Sequence, residues 1–335
     1  MEKVTLGRTG LPVSKLAFGG LFVASFAAEL EESKKSVRRA VELGINYIDT
    51  APTYGNSEEV LGKALADLKG QARSLIISTK LGGRPQPFLP QDKACLKASF
   101  DESLRLLGRD YVDMLMIHEP DRPGQYDWWT DFVKVEGPVY EFCEELKAQG
   151  KIKYIGLGGT TTSILAHLCR SGKFDVVLVA YNYSLLWREA GLEVIPAATA
   201  NKMGIVVGSP LQQGALSRRY DDALKDPNAY WLSQARRDQF KALYKFVDEC
   251  GIPLPELGLR WVLSNPDVHC VLMGARSVAE TEQNVAGVAK GPLPKDVLKK
   301  LDKIAAMVPF RPFGEPFGIG WILGNPKAHR GPGQA

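Results

Sequence analysis

The sequence predicts a (β/α)8 barrel, and three observations carry that prediction. Eight short apolar runs of strand length are each followed by a stretch of helical periodicity. The fifth to seventh runs are almost continuously apolar, as strands buried on both faces are. The rival architecture is a doubly wound dinucleotide sheet, and its G-x-G-x-x-G fingerprint is missing: G-L-G-G-T-T at 156–161 has the wrong last residue.

Residues 4–14, VTLGRTGLPVS, read as a β-hairpin with Arg8-Thr9-Gly10 in its turn. LAFGG (16–20) is the first barrel strand. A helix over 31–43 follows, with Val37, Ala40, Val41 and Leu43 on its apolar face and Gly44 as the C′ glycine. NYIDTA is the second strand, with a helix over 57–68. LIISTK (75–80) is the third, with a helix over 93–107. YVDMLMIH (111–118) is the fourth, and the polar loop EPDRPGQYDWWTDF separates it from a helix over 138–149. KYIGLGG (153–159) and DVVLVAYN are strands five and six, followed by helices over 162–170 and 191–201. GIVVGSP (204–210) leads into a long loop and a helix over 233–250. A further helix over 256–264 precedes the eighth strand, HCVLMG (269–274), and helices over 278–288 and 295–308 complete the count. Residues 1–335 are expected to form one domain, with the barrel over about 15–290 and a C-terminal helix and tail over 291–335. The tail segment 309–323, PFRPFGEPFGIGWIL, is too apolar for a disordered end. It is expected to pack on the barrel mouth or on another subunit.

Composition removes several function classes. A formal charge of +4, spread thinly and without basic runs interleaved with aromatics, does not support nucleic-acid binding. Cys95, Cys143, Cys169, Cys250 and Cys270 are odd in number and form no C-x-x-C, which suits reduced thiols in a cytoplasmic protein and no metal site. The start, MEKVTLGRTG, has no apolar core of a signal peptide, and runs such as DVVLVA are too short to span a bilayer.

In β/α chains the strand C-termini and the loops after them carry the chemistry. Asp49 ends the second strand, Tyr54 lies on the loop after it, Lys80 ends the third strand and His118 the fourth. Singly, each has a plain structural reading: a turn cap, a packed aromatic, a solvated amine, a core imidazole. Together they form a proton-transfer set. A phenol with a pKa of about 10 is a weak acid at neutral pH. A neighbouring ammonium favours its phenolate, a buried carboxylate orients that ammonium, and a neutral imidazole hydrogen-bonds the substrate oxygen. Such a group suits protonation of a carbonyl oxygen while hydride reaches carbon, and hydride requires a cofactor.

Over residues 3–308 the chain resembles the aldo-keto reductase superfamily. The stretches that carry the likeness are TLGRTGLPVSKLAFGG, GINYIDTAPTYGNSEEVLGKAL, STK, SLRLLGRDYVDMLMIH, GKIKYIGLGG, GSPLQQGAL and MGARSVAETEQN. The resemblance implies a nicotinamide cofactor extended across the C-terminal mouth. It makes Tyr54 the general acid or base, Lys80 with Asp49 its tuning pair, and His118 the group that orients the carbonyl. It also implies cofactor contacts at Gly20, Asp49, Gly158, Asn182, Ser209, Leu211, Gly214, Arg219, Gly274, Arg276, Glu280, Gln283 and Asn284. Departures concentrate at the nicotinamide end. Gly158-Gly159 stands where the family often has Ser-Asn, Ala180 where it often has Gln, and Gly208 where it often has a stacking Tyr; similar departures occur among its sugar dehydrogenases.

Phe22, Tyr54, His118, Arg122, Trp128, Trp129 and Trp187, with Tyr126 and Arg188 beside them, are expected to meet the substrate. Aromatic faces with a few charged donors suit an aldehyde or sugar. The alternative for the tryptophans is packing on their own loop or on a second copy of the chain. NADP(H) is favoured because Arg219 and Arg276 oppose a single Glu280, and NAD(H) in an aldose-oxidising enzyme is the alternative. Two further readings are a Schiff-base lyase acting through Lys80, which the Asp49–Tyr54 spacing and the adenosine-type segment disfavour, and a regulatory barrel of the potassium-channel β-subunit kind.

Overall fold

The computed structural model describes residues 1–226 and 232–310, so the expectation for the segment 309–323 lies almost wholly outside the described residues. Strands β1 (Lys3–Thr5) and β2 (Pro12–Ser14) pair antiparallel as the hairpin, joined through a 3-10 turn at Gly7–Thr9. Eight parallel strands then close into a barrel: β3 (Leu16–Gly19), β4 (Tyr47–Asp49), β5 (Ile76–Leu81), β6 (Val112–His118), β7 (Ile152–Gly159), β8 (Val176–Ala180), β9 (Gly204–Gly208) and β10 (Cys270–Gly274). They run in sequence order around the ring, with β10 pairing both β9 and β3.

The helices between them are α1 (Leu30–Glu42), α2 (Ser57–Asp67), α3 (Lys93–Leu107), α4 (Pro138–Ala148), α5 (Thr162–Arg170) and α6 (Val194–Ala200). After β9 come α7 (Asp221–Lys225), α8 (Gln234–Cys250) and α9 (Leu254–Leu263). After β10 come α10 (Val278–Val288) and α11 (Lys295–Ala305). Their ends follow local chemistry. Asp92 and Ser233 accept N-terminal backbone N–H groups of α3 and α8, and Gly108 and Gly251 close those helices in the left-handed conformation. The predicted helix over 191–201 is shorter, because a 3-10 turn at Glu189–Gly191 precedes α6.

Two apolar cores result. One fills the space between barrel and helices. The other lies inside the barrel, where Ala17, Tyr47, Ile76, Met114, Met116, Val176, Leu178, Val206, Cys270 and Leu272 pack with Leu6 and Val13 of the hairpin. The hairpin thus plugs the N-terminal end: Arg8 N–H donates to the Lys202 carbonyl at 2.7 Å beneath β9, and Tyr154 Oη donates to the Thr9 carbonyl. The C-terminal ends of the strands lie at the opposite end of the barrel. Among the described residues, no helix is long and apolar enough to cross a membrane, and no cluster of three or more His, Cys, Asp or Glu side chains suits a metal ion.

Candidate active site

Strand parity positions three of the four expected catalytic groups. Alternate residues of a strand share a face. Tyr47 and Asp49 of β4, Ile76, Ser78 and Lys80 of β5, and Met114, Met116 and His118 of β6 therefore all turn to the barrel interior. Pairing sets Asp49 beside Ser78 and Lys80 beside Met116. A buried polar chain follows. Tyr47 Oη and Ser78 Oγ lie 3.0 Å apart, and Ser78 Oγ donates to Asp49 Oδ1 at 2.6 Å. Lys80 Nζ donates to Asp49 Oδ2 and to the Thr50 carbonyl, each at 2.7 Å. Both side chains of the ion pair are at most 2% exposed, so water cannot loosen it.

Tyr54 is delivered by the loop after β4, where its N–H donates to the Ala51 carbonyl at 3.1 Å. Lys80 Nζ lies 4.8 Å from its ring centre, and the ring meets His118 edge-on at 5.9 Å. Burial first, then the charges of Asp49 and Glu119, push the Tyr54 phenol well above its ordinary value. Burial, then Lys80 and Arg122, push the His118 imidazole well below its own. The resting site is thus a protonated phenol beside a neutral imidazole. Asp49 matches the Lys80 charge at 2.7 Å, and the net direction on the resting phenol is upward.

The tryptophans after β6 and β8 follow the alternative reading, in which they pack into the protein. Trp128, Trp129 and Trp187 are 0%, 9% and 1% exposed. Trp128 Nε1 donates to the His118 carbonyl at 3.0 Å and Trp129 Nε1 to the Pro120 carbonyl at 2.9 Å. An indole is mostly hydrocarbon with one donor, so burying the rings and fastening the backbone behind His118 satisfies both parts. Trp187 packs near the Arg236 guanidinium, 5.6 Å from its ring centre. In this structure all three rings are buried. Arg122 stays at the mouth, 3.0 Å from Glu119. Phe22 lies against Gly274, where a Cβ would come within 2.4 Å of the ring.

Sequence reasoning overlooked Glu119, Asp121 and Thr160. Glu119 follows His118 in the left-handed conformation, φ 47°, and accepts the Thr160 hydroxyl at 2.9 Å. Burial pushes its carboxyl up to about 7. Asp121 Oδ2 accepts the backbone N–H groups of Thr160, at 2.7 Å, and Thr161 at the start of α5. Its carboxylate fills the space over Gly159: a Cβ there would lie 2.7 Å from Oδ1. Two acids in the HEPD stretch just past a strand-ending histidine were the available signal.

On the other side of the mouth the strands end in small residues. Around the ring, β7, β8, β9, β10 and β3 end in Gly159, Ala180, Gly208, Gly274 and Gly19. The residues expected to touch a cofactor mostly line this arc. Gly20 follows β3, Gly158 lies in β7, and Asn182 follows β8 with its Nδ2 donating to the Thr160 carbonyl. Ser209 follows β9 with φ 52°, Leu211 packs on Gly258 of α9, and the Gly214 carbonyl accepts the Tyr220 hydroxyl at 3.0 Å. Glu280, Gln283 and buried Asn284 lie on α10, which begins two residues after Arg276. Both arginines counted toward NADP(H) have acidic partners. Arg219 pairs with Asp221 at 3.0 Å and Asp248 at 2.8 Å, and Arg276 lies 3.5 Å from Glu280.

L-galactose dehydrogenase of Arabidopsis thaliana is 30% identical over 297 residues, covering 87% of this chain and 89% of the relative. A putative voltage-gated potassium channel subunit beta of Schizosaccharomyces pombe is 28% identical over 331 residues, covering 91% and 93%. The solved structure of an aldo-keto reductase of Bacillus halodurans in its holo form superposes with a TM-score of 0.73 at 28% identity, over 91% of this chain and 96% of that one. The sequence model of the Aldo/keto reductase family matches residues 15–306. The chain belongs to the aldo/keto reductase family and is an oxidoreductase of it.

Proposed function

We propose that the chain transfers hydride between a nicotinamide cofactor and the carbonyl carbon of an aldehyde or sugar, with Tyr54 as the general acid in reduction and the base in oxidation. The observation that carries this reading is the convergence of Tyr54, the Lys80–Asp49 pair and His118 at one end of the barrel. The arc of small strand-end residues fits the cofactor. Five consecutive strands end in glycine or alanine, although the Asp121 carboxylate covers Gly159 and the Phe22 ring covers Gly274, and a Cβ at Gly158 would already touch Lys80 at 3.5 Å. Gly20, Gly158 and Asn182 would lie under its nicotinamide end, Ser209, Leu211 and Gly214 beside its pyrophosphate, and Arg276, Glu280, Gln283 and Asn284 around its adenosine. When bound, the nicotinamide supplies or removes hydride.

The protein's own groups handle the proton. Tyr54 keeps its proton until negative charge develops on the carbonyl oxygen, because burial and Asp49 oppose early ionisation. Lys80, fixed by Asp49 and the Thr50 carbonyl, then stabilises the phenolate. Neutral His118 holds the carbonyl oxygen without competing as an acid. The likeness to L-galactose dehydrogenase supports a sugar as substrate, worked in the oxidative direction as readily as the reductive. In cofactor choice, the acidic partners of Arg219 and Arg276 remove the charge advantage on which NADP(H) was favoured, and leave NAD(H) on an equal footing.

Tyr54→Phe tests the reading. Turnover should fall by about 10²–10⁴-fold, as loss of a general acid does, while cofactor binding followed by fluorescence stays near wild type. A loss of only a few-fold would remove Tyr54 from the role. Absence of turnover with a panel of aldehydes and sugars would instead favour a binding role, as the potassium-channel relative's name suggests.

A further inference from the structure

We propose that Glu119 is a specificity-determining residue of this site: its Oε1 accepts a hydrogen bond from a substrate hydroxyl close to the reacting carbonyl, so that hydroxy-aldehydes are selected over plain ones. The proposal rests on the carbonyl chemistry argued above and assigns part of its substrate recognition.

Glu119 is the residue next to His118, and its backbone adopts a left-handed conformation that residues with a Cβ rarely take. Strain of this kind persists where the surroundings enforce it, commonly at ligand sites. The carboxylate is held through one oxygen. Thr160 Oγ1 donates to Oε2 at 2.9 Å, and Arg122 Nε approaches the same atom at 3.0 Å. Among the described residues Oε1 has no hydrogen-bond partner, and the side chain keeps 16% of its surface exposed. It directly follows His118, whose ring meets Tyr54 edge-on at 5.9 Å, and its charge raises that phenol. An acceptor fixed at one oxygen and open at the other, beside the proton donor, is a built site for a hydroxyl. A cationic substrate suits it less, because Arg122 and Lys80 already face the carboxylate.

Glu119→Gln keeps the shape and leaves an amide oxygen to accept the Thr160 hydroxyl, so it separates recognition from support. The readout is kcat/KM for glyceraldehyde divided by that for propanal, which cancels changes common to both. Wild type should prefer glyceraldehyde, and the variant should lose about tenfold of that preference, mostly through KM, since a charged acceptor is roughly twice as strong as a neutral one. The wild-type ratio should also shrink as pH falls through about 7, where the carboxylate takes a proton, and the variant's ratio should stay flat. The groups that share its field are Arg122 and Asp121 of its own loop, Lys80 of β5, and the phenols of Tyr54, Tyr126 and Tyr181. An unchanged ratio, or an equal loss on both aldehydes, would overturn the assignment and leave Glu119 a support for the Thr160 loop. Wild type that turns over neither aldehyde would overturn the carbonyl reading, and this proposal with it.

Discussion

At the scale of single residues, burial sets the electrostatics, and His118 shows it most clearly. Its imidazole is held well below the ordinary value by desolvation, then by Lys80 and Arg122. The unfolded chain takes up a proton near pH ~6.5 and the folded chain does not. The neutral imidazole therefore favours the fold above about pH 6.5, and that stability is lost as pH falls below it. Glu119 acts in the opposite sense. Its raised carboxyl binds a proton in the folded state first, so folding gains as pH falls from about 7 towards the unfolded value near ~4.3. Comparing urea midpoints of wild type and His118→Gln between pH 7 and pH 5 isolates the first effect. The variant should lose less stability over that interval, and an equal or larger loss would contradict it. This scale also marks the limit of the sequence. Asp49, Lys80 and His118 were legible because strand parity dictates where a strand-end side chain points. The direction of Trp128 or Trp187 on a loop was not, since residue type alone does not say whether an indole turns to the ligand or to the core.

At the scale of elements, the eight strands and their helices were legible because each apolar run is punctuated by a periodic helix with its own stop. The 3-10 turns after β3 and before α6, and the five-residue α7, are too short to leave a periodic trace. The contact that ties β6 to α5 was likewise invisible, because Asp121 and Thr160 are far apart in sequence. Asp121→Ala removes the acceptor of two backbone N–H groups at the start of α5. The expected cost is about 1–2 kcal/mol, the range for losing an N-cap acceptor, read as a lower denaturant midpoint with an unchanged slope. A variant as stable as wild type would show that water replaces the carboxylate without penalty.

For the whole molecule, the mouth is divided. Strands β4, β5 and β6 carry the polar groups, and the strands from β7 round to β3 end in glycine or alanine. Cofactor preference is accordingly expected to respond to residues that leave the proton chemistry alone. Glu280 accepts the Arg276 N–H at 2.9 Å and lies 3.5 Å from its guanidinium. Glu280→Gln frees that cation for a 2′-phosphate and removes a repelling carboxylate. The ratio of kcat/KM for NADPH over NADH should rise by about tenfold, the scale of one charge-assisted contact, with turnover at saturating cofactor little changed. A ratio that stays put would move the discrimination elsewhere on the arc.

The crowding of Asp121 over Gly159 also constrains how this lineage could have changed. A side chain at 159 collides with the carboxylate, and removing the carboxylate first strands two backbone donors at a helix start. Neither single step is free, so the two positions are expected to change together. A relative bearing a larger residue at the end of the fifth barrel strand should have lost the acid three residues past the histidine, and the coupling should be readable as epistasis: the double exchange Asp121→Ala with Gly159→Asn tolerated better than the sum of its parts.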